Sequence, residues 1–163
     1  MAAHLLVRCS PAQMSAKDLV EDAQLLWARG RKGSAFALIL IAFAATARVR
    51  YPRPMPDNES FKRFIQDELA TILGTKDTAV SLPFRGKSVP IEDILYSELR
   101  CQLIHEGELP GTITFTPKTV KNGVVCDVIT ITDPFGMPES WVLNMIRVIV
   151  NAPENARLFT RNT

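Results

Sequence analysis

The amino-acid sequence predicts a mainly α-helical protein: an up-and-down bundle of four long helices plus a C-terminal helix, with a β-hairpin near residues 112–132. Apolar residues recur at helical spacing in four segments between residues 15 and 107. Short or moderate connections join these segments, which favours antiparallel packing of neighbouring helices. After residue 111, Thr, Val and Ile alternate around a turn dipeptide. The 163 residues, 47% of them hydrophobic, fit one domain (1–163) with a helical core at 15–107.

The first predicted helix begins with a capping signal. The sequence Ser-Ala-Lys-Asp has the pattern of a capping box, in which Ser15 and Asp18 satisfy free backbone N–H groups. Apolar residues then follow at helical spacing until Gly30 and Gly33, which end or interrupt the helix.

The second predicted helix, from about Ser34 to Arg50, is apolar nearly all round, which is typical of a helix buried by several partners. Its apolar run from Ala35 to Ala45 has 11 residues. A membrane-spanning helix needs about 20. We therefore expect a core helix and no association with a membrane.

Two further helices complete the predicted bundle. The third follows the Pro-rich residues 51–56, is capped by Asp57 or Asn58, and ends at Gly74. The fourth begins at Pro90 and ends at Gly107. Residues 75–90 between them are interpreted as a long connection.

The C-terminal third has a different pattern. Asn122-Gly123 between two β-branched runs predicts a hairpin at residues 111–132, with strands at 112–120 and 124–132. Pro117 predicts that the first strand is an edge strand or is broken there. The next segment, DPFGMPE, is interpreted as a turn. The last helix is then expected at residues 138–152, followed by a loose tail, 153–163.

The composition excludes several functional classes. A net charge of +2 and a pI near 8.5 are less basic than is usual for nucleic-acid-binding domains. The three cysteines, Cys9, Cys101 and Cys126, form no CxxC pair, so neither a disulfide framework nor a metal site is expected. The sequence contains no glycine-rich phosphate-binding motif, so no cofactor is expected. The cysteine usage and the absence of a secretory signal pattern predict a cytoplasmic protein.

One pair of residues has a spacing that suggests chemistry. Arg100 and His105, the second of two histidines, lie in SELRCQLIHEGELP and are separated by four residues. A helical chain whose late helix carries Arg, a short spacer and His resembles the HEPN superfamily (higher eukaryotes and prokaryotes nucleotide-binding). The order of an Ala-rich early helix, a capped amphipathic helix and this motif helix is also similar to that family over roughly residues 15–107.

The resemblance implies metal-independent cleavage of RNA. His105 would act as general base toward a ribose 2′-hydroxyl, and Arg100 would hold the scissile phosphate. Glu98, Cys101 and Gln102 would support the site, with Cys101 at a position where many members have Asn, Asp or His. The family builds its site at a two-fold interface, so a homodimer is implied, acting as a toxin or defence effector with a neutralising partner protein.

Other interpretations of the same residues stay open. In an ideal α-helix Arg100 and His105 point about 140° apart, whereas Glu98, Gln102 and His105 share one stripe. In the alternative interpretation, His105 bonds the carbonyls of its own last turn, and Arg100 is a surface arginine or pairs with Asp93. The alternative function is a non-catalytic helical-bundle binding or regulatory protein that associates through the bundle or the hairpin.

A second candidate surface is basic. Two nearby segments carry cations that a phosphate backbone would require: Arg29, Arg31, Lys32, Arg48 and Arg50. The alternative is that these cations stabilise the ends of two helices.

Overall fold

The structure, a computed structural model, describes residues 14–76, 79–106, 113–132 and 134–160 and is mainly helical, as the sequence predicts. The helices are α1 (Ala16–Ala28), α2 (Lys32–Arg50), α3 (Asp57–Leu73), α4 (Ile91–Asp93), α5 (Gln102–Glu106), α6 (Glu139–Asn151) and α7 (Ala156–Phe159). A π-helical segment, Ile94–Cys101, joins α4 to α5, and a 3₁₀ turn, Pro153–Asn155, precedes α7. The strands are β1 (Ser81–Phe84), β2 (Lys87–Pro90), β3 (Ile113–Thr116), β4 (Thr119–Lys121), β5 (Val124–Cys126) and β6 (Phe135–Pro138).

The core is built around α2. Helices α1, α3 and α6 all pack against it, and α3 also packs against α6. Phe36, Ile39, Leu40 and Phe43 of α2 are fully buried. With a mean hydropathy of 1.5, α2 is the one helix in the described part of the chain that is long and apolar enough to cross a membrane. Because three other helices cover α2, its apolar character is that of a helix in the core of the protein.

Most helix termini follow the sequence signals. Helix α2 begins at Lys32, before its predicted start at about Ser34, so Gly33 lies in its first turn and does not separate the helices. Ser15 and Asp18 form the predicted capping box, and the left-handed Gly74 ends α3. The prediction that Asp57 or Asn58 caps α3 is wrong, because Pro56 occupies that position without a side-chain hydrogen bond. Asp57 instead forms an ion pair with Arg48. The predicted end of the fourth helix, Gly107, lies outside the described residues.

The fourth predicted helix is continuous but not uniform. We call α4, the π-helical segment and α5 together the motif helix (residues 91–106). Its apolar side contributes Ile91, Ile94, Leu95 and Leu99 to the core. A π-helix hydrogen-bonds residue i to i+5 and is rare. Its occurrence here changes which residues of the motif helix share a face.

The interpretation of residues 75–90 as a connection was incomplete, since they contain a hairpin. Strands β1 and β2 pair antiparallel from Ser81 opposite Pro90 to Phe84 opposite Lys87. Arg85 and Gly86 form the turn with φ of 48° and 76°, the left-handed geometry that suits a two-residue hairpin loop.

The predicted hairpin at 111–132 is confirmed at its turn and corrected in its strands. Strands β4 and β5 pair antiparallel across Asn122-Gly123, whose φ values are 53° and 76°. The predicted strands at 112–120 and 124–132 were too long. The first is divided at Pro117 into β3 and β4, and β3 pairs parallel with β6 instead.

The interpretation of DPFGMPE as a turn was wrong, because it contains β6, whose four residues are all buried. This strand lies between β3 and Thr130, and Gly136 exchanges hydrogen bonds of 2.8 and 3.1 Å with Thr130. A side chain at position 136 would collide with Thr116 and Thr130. Glycine therefore permits this close three-way approach.

The predicted loose tail is also wrong as far as Thr160, the last described residue. After α6, at the predicted place, the 3₁₀ turn and α7 pack onto the helices. Asn155 is buried and donates to Thr46 Oγ1 at 2.8 Å and to the Ile149 carbonyl at 2.9 Å. These bonds connect the C-terminal turn to α2 and α6.

Candidate functional site around Arg100

Arg100 is half-buried between the motif helix and α3. Its guanidinium carbon lies 5.4 Å from the ring centroid of Phe61 and 5.2 Å from that of Tyr96. Tyr96 precedes Arg100 by four residues on the π-helical segment, so the two side chains share a side of the helix. The aromatic faces attract the cation and cover its apolar stem. Arg100 therefore contributes to the packing of the motif helix.

His105 lies on α5 and is exposed. Within the described part of the chain, no hydrogen bond or ring contact joins it to Arg100, whose guanidinium is directed to Phe61 and Tyr96. The alternative pairing of Arg100 with Asp93 does not form. Asp93 pairs with Lys62, whose Nζ lies 2.5 Å from its carboxylate.

The predicted supporting residues are dispersed. Glu98 Oε2 lies 2.9 Å from Nη1 of Arg85, at the tip of the β1–β2 hairpin, an ion pair without hydrogen-bond alignment. Cys101 is a half-buried free thiol, and Gln102 is half-buried. Glu98 is thus occupied by a cation that the sequence interpretation did not consider.

Arg100 nevertheless keeps unused binding capacity. Among the described residues no carboxylate pairs with it, and its Nε is buried without a hydrogen-bond acceptor. A guanidinium without a counter-charge can bind an anion at its remaining edge. The imidazole of His105 is exposed to solvent. One chain does not bring Arg100 and His105 into contact.

The candidate basic surface is largely neutralised. Arg50 Nε lies 2.7 Å from Glu154, and its Nη1 lies 2.8 Å from Glu68. The hydrogen bond to Glu154 raises the pKa of Arg50 above its ordinary value, and the same bond lowers the pKa of Glu154. Arg48 pairs with Asp57 and donates to two backbone carbonyls.

The other cations of this surface differ in their surroundings. Lys32 pairs with Glu139, and its Nζ lies 5.7 Å from the ring centroid of Trp27. Arg29 and Arg31 are exposed, and neither forms an ion pair with another described residue. Only these two of the five predicted cations retain an uncompensated charge.

Two surface features lie outside the predicted site residues. One is a cleft of about 370 Å³ between α1 and α6, lined by Gln24, Trp27, Ala28, Leu143, Ile146 and Arg147. The other is the apolar surface of the β4–β5 hairpin, where three valines are exposed. The spacing of α1 and α6 in the sequence gives no sign of their proximity. In the parts of the chain that the structure describes, no cluster of His, Cys, Asp and Glu could hold a metal ion.

Comparison with known proteins places the chain in a family without assigning a reaction. Neither the curated proteins nor the solved structures contain a match to it. The HEPN resemblance therefore stays a prediction. The model of the Rv1289 family matches residues 15–160, from the N-cap of α1 to the end of α7. The chain belongs to the Rv1289 family.

Proposed function

We propose that this protein is a non-catalytic binding or regulatory protein that associates with a second copy of itself through the β4–β5 hairpin. The observation that carries the proposal is the cross-strand pair Val120 and Val125, whose exposed fractions are 71% and 61%. The two side chains share one face of the hairpin because they lie directly opposite each other. Val124 is equally exposed, at 61%.

The hairpin needs a partner on energetic grounds. A two-stranded hairpin is marginally stable in water, and β4–β5 forms a separate two-stranded sheet within the described residues. Covering the valine pair would remove apolar surface from water, and pairing an outer strand would satisfy free backbone groups. Ile129 and Ile131, in the segment that follows β5, are also exposed.

A second copy fits this surface by symmetry and charge. Lys118 lies two positions before Val120, and Asp127 lies two positions after Val125. Both residues are exposed. A two-fold axis through the valine pairs would bring Lys118 of one protomer toward Asp127 of its partner. Such an interface is self-complementary, which is the requirement for a closed homodimer. The same proposal includes three further statements. The helices form an up-and-down bundle, the protein is cytoplasmic, and it does not associate with a membrane.

The association is tested by the substitution Val125→Lys. The parent chain is expected to be a dimer at micromolar concentration, and Val125→Lys is expected to be a monomer because a cation would enter the apolar interface. Val49→Lys is the matched control, since Val49 on α2 is equally exposed, at 61%. Light scattering coupled to size exclusion measures the mass. A monomeric parent, or an unaltered dimer in Val125→Lys, contradicts the proposal.

The second candidate is a metal-independent endoribonuclease, as the HEPN resemblance implies. The observation that favours it is the uncompensated charge of Arg100 together with the exposure of His105. In this proposal a two-fold interface brings His105 of one protomer near Arg100 of its partner, and a neutralising protein covers the site. His105 would accept the 2′-hydroxyl proton, and Arg100 would stabilise the phosphate charge.

Cleavage of mixed RNA in EDTA tests this candidate. His105→Asn is the decisive variant, because an exposed side chain can be replaced without disturbing the core. Loss of cleavage in His105→Asn and Arg100→Lys, with a parent-like circular dichroism spectrum, supports the nuclease. Absence of cleavage by the dimeric parent, or full activity of His105→Asn, excludes it.

A further inference from the structure

The cleft between α1 and α6 has the composition of a ligand-binding site. Four of its lining residues are apolar or aromatic (Trp27, Ala28, Leu143 and Ile146), and Arg147 supplies the charge. Its volume of about 370 Å³ lies within the range of small-molecule sites, about 300–1,000 Å³. Convergent apolar walls with one charged group favour a ligand that has an apolar body and one charged head.

Trp27 is fixed as a wall of this cleft by contacts outside it. Its ring packs edge-on against Phe115, with the centroids 5.5 Å apart, and Lys32 lies over the ring. These contacts hold the indole in position before any ligand arrives. A preformed aromatic wall reduces the conformational entropy lost on binding.

Arg147 is likewise positioned in advance. Its Nη1 donates to Asn144 Oδ1 at 3.0 Å, and Nδ2 of Asn144 donates to the Ile72 carbonyl at 3.0 Å. The guanidinium is thus connected through Asn144 to the end of α3. The carboxamide holds the group without neutralising it, because Asn carries no charge.

No described carboxylate compensates Arg147. Glu68 lines an adjacent cleft together with Arg147, but Glu68 pairs with Arg50 at 2.8 Å. A positioned, uncompensated cation at the rim of an apolar cleft attracts a negative partner. Charge complementarity therefore selects an anionic head.

We propose that this cleft binds a small amphipathic monoanion, with its apolar body between α1 and α6 and its carboxylate against Arg147. This site is distinct from Arg100 and from the β4–β5 hairpin, and it does not depend on association of the chain. The ligand class is an aliphatic or aromatic carboxylate of a size that fits the cleft. A charge-assisted, bidentate hydrogen bond from the guanidinium would orient it.

Isothermal titration calorimetry of the full chain tests the site with decanoate as the probe and 1-decanol as its uncharged counterpart. Decanoate is expected to bind saturably and about tenfold more tightly than decanol. A tenfold difference corresponds to the lower end of the free energy that one hydrogen bond to a charged group contributes. Arg147→Gln is expected to remove this preference. Leu143→Gln, at an exposed wall position, is expected to weaken both probes.

Lys87→Gln is the matched control, since it removes one exposed positive charge on β2. It is expected to bind decanoate like the parent. Tryptophan fluorescence, to which Trp27 and Trp141 both contribute, provides a second readout and is expected to change with decanoate in the parent but not in a Trp27→Phe variant. Absence of saturable binding, equal binding of the two probes, or parent-like affinity in Arg147→Gln would each overturn the assignment. Unchanged binding in the monomeric Val125→Lys separates this inference from the proposed association.

Discussion

Replacing Arg50 with Met is predicted to destabilise the fold, because Arg50 joins α2 to α3 and to the C-terminal turn. Its guanidinium lies 2.7 Å from Glu154 and 2.8 Å from Glu68, and its carbon lies 4.4 Å from the ring centroid of Phe64. The side chain of Arg50 is only 19% exposed. Met preserves much of the apolar stem, so the substitution removes mainly the charge and the hydrogen bonds.

The expected cost is about 2–3 kcal/mol of unfolding free energy. A hydrogen bond to a charged group contributes about 1.5–3 kcal/mol, and removal of one member of a buried ion pair costs about 3–5 kcal/mol. Asp67 also lies 3.5 Å from Nη1 of Arg50, and the partial exposure of the four charged side chains, 14–38%, places this network below the fully buried limit. The three carboxylates left without this cation would also repel one another.

The pH dependence has a definite sign. The Arg50 hydrogen bond lowers the pKa of Glu154 below its ordinary value of 4.5. The stabilisation from Glu154 is therefore complete above pH 4.5 and is lost as the pH falls through the lower folded-state pKa. The difference between the parent and Arg50→Met is expected to be largest near neutral pH and to shrink in acid.

Urea unfolding followed by circular dichroism measures both effects, at about pH 7 and about pH 3. Arg31→Met is the matched control, since Arg31 is exposed and forms no ion pair with a described residue. It is expected to change stability by less than about 0.5 kcal/mol. An Arg50→Met protein as stable as the control at neutral pH would refute the structural role of this network.

Three further substitutions test the packing. Gly136→Ala places a Cβ 2.6 Å from Thr116 Cγ2. The free energy of unfolding is therefore expected to fall by about 1–3 kcal/mol, and the urea midpoint with it. An unchanged midpoint contradicts the close approach. Asn155→Ala removes two buried hydrogen bonds and is expected to cost about 1–3 kcal/mol, whereas the exposed Asn151→Ala should be neutral in the same assay. Arg100→Ala should lower the melting temperature, at a cost of about 1–2 kcal/mol; an unaltered melting curve argues against stacking on the two rings.

Local signals in the sequence predicted the helices and one turn, because local residues determine them. The capping box at Ser15 and Asp18, the left-handed Gly74 and the Asn122-Gly123 turn all act within a few residues. The β1–β2 hairpin also had a local signal in Arg85-Gly86, but an arginine with positive φ is uncommon, and the dipeptide was interpreted as part of a loop.

The remaining features depend on distant residues. The parallel pairing of β3 with β6 joins segments about 20 residues apart, and FGMP, which contains a glycine and a proline, has little strand propensity of its own. The π-helical segment shifts the faces of the motif helix, which α-helical periodicity alone does not reveal. The ion pairs of Arg50 could be predicted only by knowing that α2, α3 and the C-terminal turn lie close together.

The mass of the parent chain in solution tests the proposed function most directly. Association through the β4–β5 hairpin predicts a dimer at micromolar concentration, with twice the chain mass of 18.1 kDa. The same measurement on Val125→Lys is predicted to give one chain mass, and on Val49→Lys two. A parent that stays at 18.1 kDa throughout the micromolar range would contradict the account.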